Sequence, residues 1–340
     1  MIIKPQLSIC IPTFKKRNSI EVLMNSIVAQ ITKENFSLLE VIVSDNCSND
    51  GTIEYLNTLT NLIPLKIFSN AENIGMIPNW ERAIEKANGE YVWLMGSDDF
   101  FNSNAIEKVL TVIQNYSVDL ILCNNIYWSP TDDDFKFDDI NLNNAFIRST
   151  YIKDKYVDSI KDLVETRSDI FTPIYDSIMY KKHWNSVFLL YNHEAPFFSS
   201  IGNSVPQALY VGLYLMEKPG YYIGDPLVVS SANISWGDYM PFYMCYILPS
   251  FYKVLTKNGA DKVVIERHKK ELFTSEMVHW VPDLVMNKLP GSSYFSFFKY
   301  SKQFYKHKKF LIILKILFLE KVKFFIKKYC KILNINGVPS

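Results

Sequence analysis

Val41-Ile42-Val43-Ser44-Asp45-Asn46-Cys47-Ser48-Asn49-Asp50-Gly51-Thr52 decides the fold. Its apolar start, taken back to Leu39, is a short β-branched run that predicts a buried strand over residues 39–44. The run ends on an acid, and the turn-forming residues after it open a helix reaching about Leu59. Strand, polar turn and helix make the repeating unit of a parallel sheet, and the same succession recurs on both sides.

Residues 7–11, 65–69, 91–95 and 118–124 predict further strands. Between the first two strands lies a helix opened by Asn18 or Ser19, with Ile20, Leu23, Met24, Ile27 and Ile31 on one stripe. Pro78 suits the first turn of a helix reaching Ala87, with Asn88-Gly89 as its C-cap. Asn102-Ser103 opens the next, with Ile106, Val109, Leu110 and Ile113 inward. Four loops therefore fall at carboxyl ends of strands, where open α/β sheets bind ligands.

Composition narrows the function. At 340 residues, 48% apolar and 15% aromatic, the chain can bury a large core without disulfides or metal, which excludes disorder. Five scattered cysteines, Cys10, Cys47, Cys123, Cys245 and Cys330, with no C-x-x-C pair, fit a reducing compartment. No secretory signal is visible, and the longest apolar run, residues 310–319, is interrupted by Lys315, where a spanning helix needs about twenty residues. These features place the chain on the cytosolic side. Neither G-x-x-x-x-G-K-[ST] nor G-x-G-x-x-G occurs, so any nucleotide must be held without a glycine cradle.

Two acidic clusters end predicted strands: Ser44-Asp45-Asn46 and Gly96-Ser97-Asp98-Asp99. Carboxylates at strand ends avoid the cost of burial, and adjacent acids suit a hard divalent cation that leaves positions for a diphosphate. Taken singly, each acid also reads as a cap for the helix that follows.

With these residues in view, the chain resembles the family 2 glycosyltransferases of GT-A fold. The likeness rests on Ser8-Ile9-Cys10-Ile11-Pro12-Thr13-Phe14, the stretch from Val41 to Thr52, Asn73-Ile74-Gly75 with Asn79, Ala87-Asn88-Gly89-Glu90-Tyr91, and Leu94-Met95-Gly96-Ser97-Asp98-Asp99, in the family's order. Gly-Ser-Asp-Asp, with Pro226-Leu227-Val228-Val229, is most similar to the abequosyltransferase group, which adds a 3,6-dideoxyhexose during O-antigen assembly.

The resemblance implies a Rossmann-like, mostly parallel sheet over residues 1–235, with its nucleotide-binding half at about 1–125. It implies that Pro12, Thr13, Asn73 and Ser97 line the nucleotide and that Asp45 meets the pyrimidine edge, which does not separate UDP from CDP. Asp98 would bind Mn²⁺ or Mg²⁺, and Asp99 would contact the sugar or support Asp98. Asn73 and Asn79 would organise the loop above the nucleotide. Gly96 stands where many members carry an acid, so D-x-D is reduced to its second acid. An inverting transferase needs a base near the start of a later helix, but residues 199–207 contain no acid, leaving Glu194, Asp176 and Asp225 as candidates. Retention therefore stays open.

Residues 131–144, with five aspartates, read as a solvated loop or a site lid. Trp236, Tyr239, Phe242, Tyr243 and Tyr246 read as core or as sugar-stacking platforms. Residues 236–340 form a mainly helical region ending in a basic amphipathic helix at about 303–333. From Lys299 onward, eleven lysines face one glutamate, a formal +10, so the net charge of +1 hides −9 on the preceding residues. Leu311, Leu314, Phe318, Val322, Phe325, Tyr329 and Ile332 share one lysine-free arc, which predicts docking on an anionic membrane face, the alternative being a stripe packed on the protein's own body or on a second subunit. No nucleic-acid motif accompanies the lysines.

The expected reaction moves a hexosyl or deoxyhexosyl group from a nucleotide diphosphate sugar to a lipid-linked (undecaprenyl diphosphate) oligosaccharide, at the inner face of a bacterial membrane. A sugar nucleotidyltransferase and an inactive assembly scaffold are the alternatives.

Overall fold

The computed structural model describes residues 4–332 except 131, 133, 168, 170, 233–235 and 275, with side chains of the last helix described to Lys323. The first half runs β1 (Leu7–Thr13), α1 (Arg17–Val28), β2 (Leu39–Asp45), α2 (Thr52–Asn57), β3 (Leu65–Ser69), α3 (Met76–Glu85), β4 (Tyr91–Leu94), β5 (Phe100–Phe101), α4 (Ala105–Asn115) and β6 (Leu120–Trp128). It continues through β7 (Phe146–Ile147), β8 (Lys155–Val157), β9 (Ser177–Tyr180), α5 (Lys181–Val187), α6 (Pro206–Tyr210) and β10 (Gly220–Ser231). The helices α7 (Met240–Phe242), α8 (Leu248–Lys257), α9 (Lys262–Leu272), α10 (Met277–Val285), α11 (Phe297–Phe304) and α12 (Phe310–Ile332) complete it.

The strands make one sheet in the order β3-β2-β1-β4-β9-β6-β10-β5, with β7 on β6 and β8 on β10. β3, β2, β1, β4, β6 and β10 share one direction; β9 is wedged antiparallel between β4 and β6. The carboxyl ends of β1, β2, β4 and β10 therefore open toward one edge.

Burial is nearly continuous along β1, β2 and β4 because both faces of the sheet are covered, successive side chains entering opposite cores. Ile9, Ile11, Val41, Val43, Trp93 and Met95 pack with α1, α2 and α4 on one side. Cys10, Ile42, Val92 and Leu94 face α3, α5, α6 and the C-terminal helices on the other, in a single cluster that reaches Ile313. The helices after Trp236 thus share their core with the sheet.

Local signals shift in three places. Neither Asn18 nor Ser19 caps α1 by its side chain; their backbone N–H groups both donate to Asp134 Oδ1 at 2.9 Å. Asp134 is consequently tied to the body, and Phe135, fully buried, packs edge-on to Trp128 at 4.8 Å between centroids. Gly89, predicted as a C-cap, serves close approach instead: a Cβ there would lie 2.5 Å from Ser8 Oγ and 2.6 Å from Ser8 N. At the tail, α12 packs on the body through buried Phe310 and Ile313, while Leu311, Leu314, Phe318 and Val322 stay exposed. Phe325, Tyr329 and Ile332 lie beyond the described side chains.

Candidate active site

The sheet register sets Thr13 beside Asp45 at the ends of β1 and β2. Both are buried, Asp45 against the expectation that a strand-end carboxylate escapes burial, because the loops after β1 and β3 close over this corner. Asn46 N–H donates to the Thr13 carbonyl at 2.8 Å. Asp45 Oδ2 accepts the Ser48 N–H at 3.0 Å, but Asp45 Oδ1 and Thr13 Oγ1 are buried without a hydrogen-bond partner. Unmet buried acceptors and hydroxyls are uncommon, and two side by side at strand ends mark a place where a ligand would complete the bonding.

An asparagine cluster roofs this corner. Asn46 Nδ2 donates to Asn73 Oδ1 at 2.7 Å, and Asn46 Oδ1 accepts the Ile74 N–H at 2.9 Å and Asn70 Nδ2 at 3.1 Å. Asn79, buried in α3, accepts from Ser44 Oγ at 2.8 Å and from Asn70 Nδ2 at 2.9 Å, and donates to the Ser44 carbonyl at 3.0 Å. Asn73 and Asn79 therefore hold the loop from Asn70 to Gly75 against β2.

The turn after β4 carries Gly96, Ser97, Asp98 and Asp99. Asp99 is buried, and its Oδ1 accepts the Ser231 N–H at 3.0 Å, which ties the turn to the end of β10. Burial, aided by the charge of Asp98, pushes the Asp99 carboxyl well above the usual carboxylate range. Asp98 is partly exposed, and Lys16 Nζ lies 3.8 Å from its Oδ2. A Cβ on Gly96 would fall 2.6 Å from Asp99 Oδ2 and 3.0 Å from Asp98 Oδ1, so both carboxylates fold over the glycine. Ser97 is buried within the same turn.

Among the described residues no group of three or more His, Cys, Asp or Glu converges to cage a cation. Mg²⁺ and similar ions need no such cage, since one or two carboxylates suffice when substrate phosphates and waters fill the remaining positions. Asp98 fits that role, with Asp99 behind it.

A charged network lies beneath. Arg167 forms a tight ion pair with buried Asp176, donates to Asn125 Oδ1 at 2.8 Å, and has Nε 2.6 Å from Asp169 Oδ1. Arg148 reaches Asp169 Oδ2 at 2.8 Å. Asn125 Nδ2 donates to Ser230 Oγ at 2.7 Å, next to the Ser231 that holds Asp99. Burial alone would raise Asp169, but Arg167 and Arg148 hold it below the carboxylate range. Burial outweighs Arg167 at Asp176 and pushes it up to about 6.

Asp176 is thus brought under the site but engaged with Arg167. Glu194 is exposed in a turn whose His193 lies 3.6 Å from Glu81 on α3, and Asp225 pairs with Lys108 on the exposed side of α4. α6 does begin where a base is sought, and Gln207 stands there, fully buried, donating to the Thr172 carbonyl at 2.7 Å with its Oε1 unpartnered. Phe242 and Tyr243 are core, while Trp236 and Tyr239 are half-buried around Phe198, whose ring stacks on Tyr239 at 4.9 Å. Sequence reading missed Lys16, Arg148, Arg167, Asp169 and Ser231, since ordinary loop residues and a strand end carry no periodic signal.

The glycosyl transferase family 2 model matches residues 8–178. The chain belongs to that family. In sequence, the family 2 chain is 27% identical over 243 residues to the abequosyltransferase RfbV of Salmonella typhimurium, covering 66% of each protein. It is 31% identical over 120 residues to the poly(ribitol-phosphate) beta-N-acetylglucosaminyltransferase TarS of Staphylococcus aureus, covering 34% of this chain and 20% of TarS. The chain thus spans just under two thirds of RfbV and a fifth of TarS. Its fold matches S. aureus TarS 1–349 in complex with UDP-GlcNAc, with TM-score 0.57 and 15% identity over 82% of this chain and 81% of that one. It also matches the mannosyltransferase PcManGT from Pyrobaculum calidifontis in complex with GDP-Man and Mn²⁺, with TM-score 0.52 and 12% identity over 94% and 88%. The family 2 chain has the GT-A architecture, a mixed α/β sheet with a helical C-terminal region.

Proposed function

We propose that this chain transfers a hexosyl or dideoxyhexosyl group from a nucleotide diphosphate sugar to a lipid-linked oligosaccharide in bacterial polysaccharide synthesis. The observation that carries the reading is the pair of unmet buried polar atoms, Asp45 Oδ1 and Thr13 Oγ1, at the strand ends beside the Asp98-Asp99 turn. Asp45 would accept from uracil N3–H or the cytosine amino group, with Pro12, Thr13 and Asn73 around the base and Ser97 near the sugar–phosphate junction. Asp98 would hold a divalent cation, which when bound offsets charge on the departing diphosphate. Asp99, its carboxyl raised by burial and by the charge of Asp98, would orient Asp98 and the donor sugar. Asp176 would act through Arg167 as a positioning residue, and Glu194 would serve the acceptor only if its turn closes toward the site. The likeness to RfbV favours a dideoxyhexose.

The exposed arc of α12, flanked by Lys308, Lys309, Lys315 and Lys323, would lie on an anionic inner-membrane surface and bring the site to a lipid-linked acceptor. No helix among the described residues is long and apolar enough to cross a membrane.

Calorimetry with a panel of UDP-, CDP- and GDP-sugars, followed by assay of the released product, tests the reading. One donor should bind and yield a nucleoside diphosphate with transfer; Asp98→Ala should remove turnover. Release of pyrophosphate would instead show a nucleotidyltransferase, and neither binding nor transfer would show a scaffold.

A further inference from the structure

We infer that Lys16 is a cation built into the site, which rests on Asp98 when no donor is present and turns to the donor's diphosphate when it binds. The inference rests on the glycosyltransferase reading and adds a residue that reading does not use. Lys16 and Asp98 side chains are only 17% and 23% exposed, so their 3.8 Å approach is shielded from solvent more than a surface pair would be.

The segment carrying Lys16 is clasped on several sides. Lys15 N–H donates to Ser48 Oγ at 2.8 Å, and Ser48 N–H in turn reaches Asp45. The Lys16 carbonyl accepts the Ile20 N–H at 2.9 Å, and Asp134 fixes the next two residues, Asn18 and Ser19. Lys15 adopts φ 52°, a left-handed conformation that a free loop would avoid. The ammonium is thereby tethered between the Asp45 corner and the Asp98 turn, the gap a diphosphate must bridge between base and sugar.

Gly96 supplies no acid and Asp99 is buried, so the carboxylate of this turn that reaches the surface is the partly exposed Asp98, 3.8 Å from Lys16. Lysine suits the exchange: its ammonium is a compact point charge on a flexible stem that binds carboxylate or phosphate oxygens alike. No covalent bond changes. One cation passes from one oxyanion to another.

The test compares the full chain with Lys16→Gln and Lys16→Arg. Binding of UDP, CDP and GDP is measured by calorimetry in EDTA and again with Mn²⁺, and binding of Mn²⁺ alone by electron paramagnetic resonance. The native chain should bind one nucleoside diphosphate in EDTA, Lys16→Gln should weaken that by about tenfold, the scale of one charge-assisted contact, and Lys16→Arg should retain it. Lys16→Gln should also bind Mn²⁺ alone more tightly, a gain that a misfolded variant would not show. Unchanged nucleotide binding in Lys16→Gln, or native binding that requires Mn²⁺, overturns the inference while leaving the transferase reading standing. Failure of the native chain to bind any nucleotide with Mn²⁺ present overturns the transferase reading itself.

Discussion

Gly96 shows how one residue sets the chemistry of its neighbours. An acid at this position adds a carboxylate to the turn, but its Cβ would press within 2.6 Å of Asp99 Oδ2. Overpacking of this kind costs about 1–3 kcal/mol, so Gly96→Asp should lower turnover and donor affinity by about tenfold rather than improve them. Steady-state kinetics with a verified donor checks this, and a tighter Mn²⁺-dependent variant would show that the turn relaxes freely. Asp176 offers a second residue-scale test. Folded, it keeps its proton up to about pH 6; unfolded, it releases it near the ordinary 3.8. The native state therefore binds more protons between those values, and this contribution to stability is complete below about pH 4 and lost as pH rises through 6. Asp176→Asn removes the loss, so its Tm relative to the native chain should improve from pH 4 to pH 7. A relative Tm that falls over that range would mean that attraction to Arg167 outweighs burial.

At the scale of elements, the start of α1 depends on a residue more than a hundred positions away. Asp134 accepts the Asn18 and Ser19 N–H groups and the Ser19 hydroxyl, satisfying two of the donors that a helix start leaves open. Asp134→Ala should cost about 1–2 kcal/mol, the usual range for a lost N-cap, read as a lower midpoint in urea. Because the same helix start carries Lys16, nucleotide affinity should fall with it; a variant that loses stability but no affinity would separate the cap from the site. Sequence reading found α1 but not its cap. Asn18 and Ser19 are good capping types, and only contact across the fold shows that their own N–H groups are what is capped. The strands from residue 7 to 124 were legible because a short continuous β-branched run, the mark of a strand covered on both faces, is a local property. The antiparallel wedge of β9 was not, since strand direction depends on the path of the chain between β6 and β9.

For the whole molecule, the tail is both core and surface. Tyr300, Phe304, Phe310 and Ile313 are buried, so cutting the chain after about residue 300 would strip the body of part of its interior. A cleaner division comes from the exposed arc: Leu314→Glu with Phe318→Glu should abolish sedimentation with vesicles containing anionic lipid while leaving nucleotide binding unchanged, since both residues are at least 40% exposed. Retained sedimentation would remove this arc from the membrane reading.

The sequence alone determined the α/β class, the strand ends bearing Asp45 and Asp98, and the family, because hydrophobic period and short turn motifs are written in consecutive residues. Tertiary structure alone decided which groups converge. It stacked Arg148, Arg167, Asp169 and Asp176 beneath Asp99, set Lys16 against Asp98, and put the buried amide of Gln207 at the helix start where an acid was sought. Convergence of charges distant in sequence is a product of chain path and packing, and neither has a local signal.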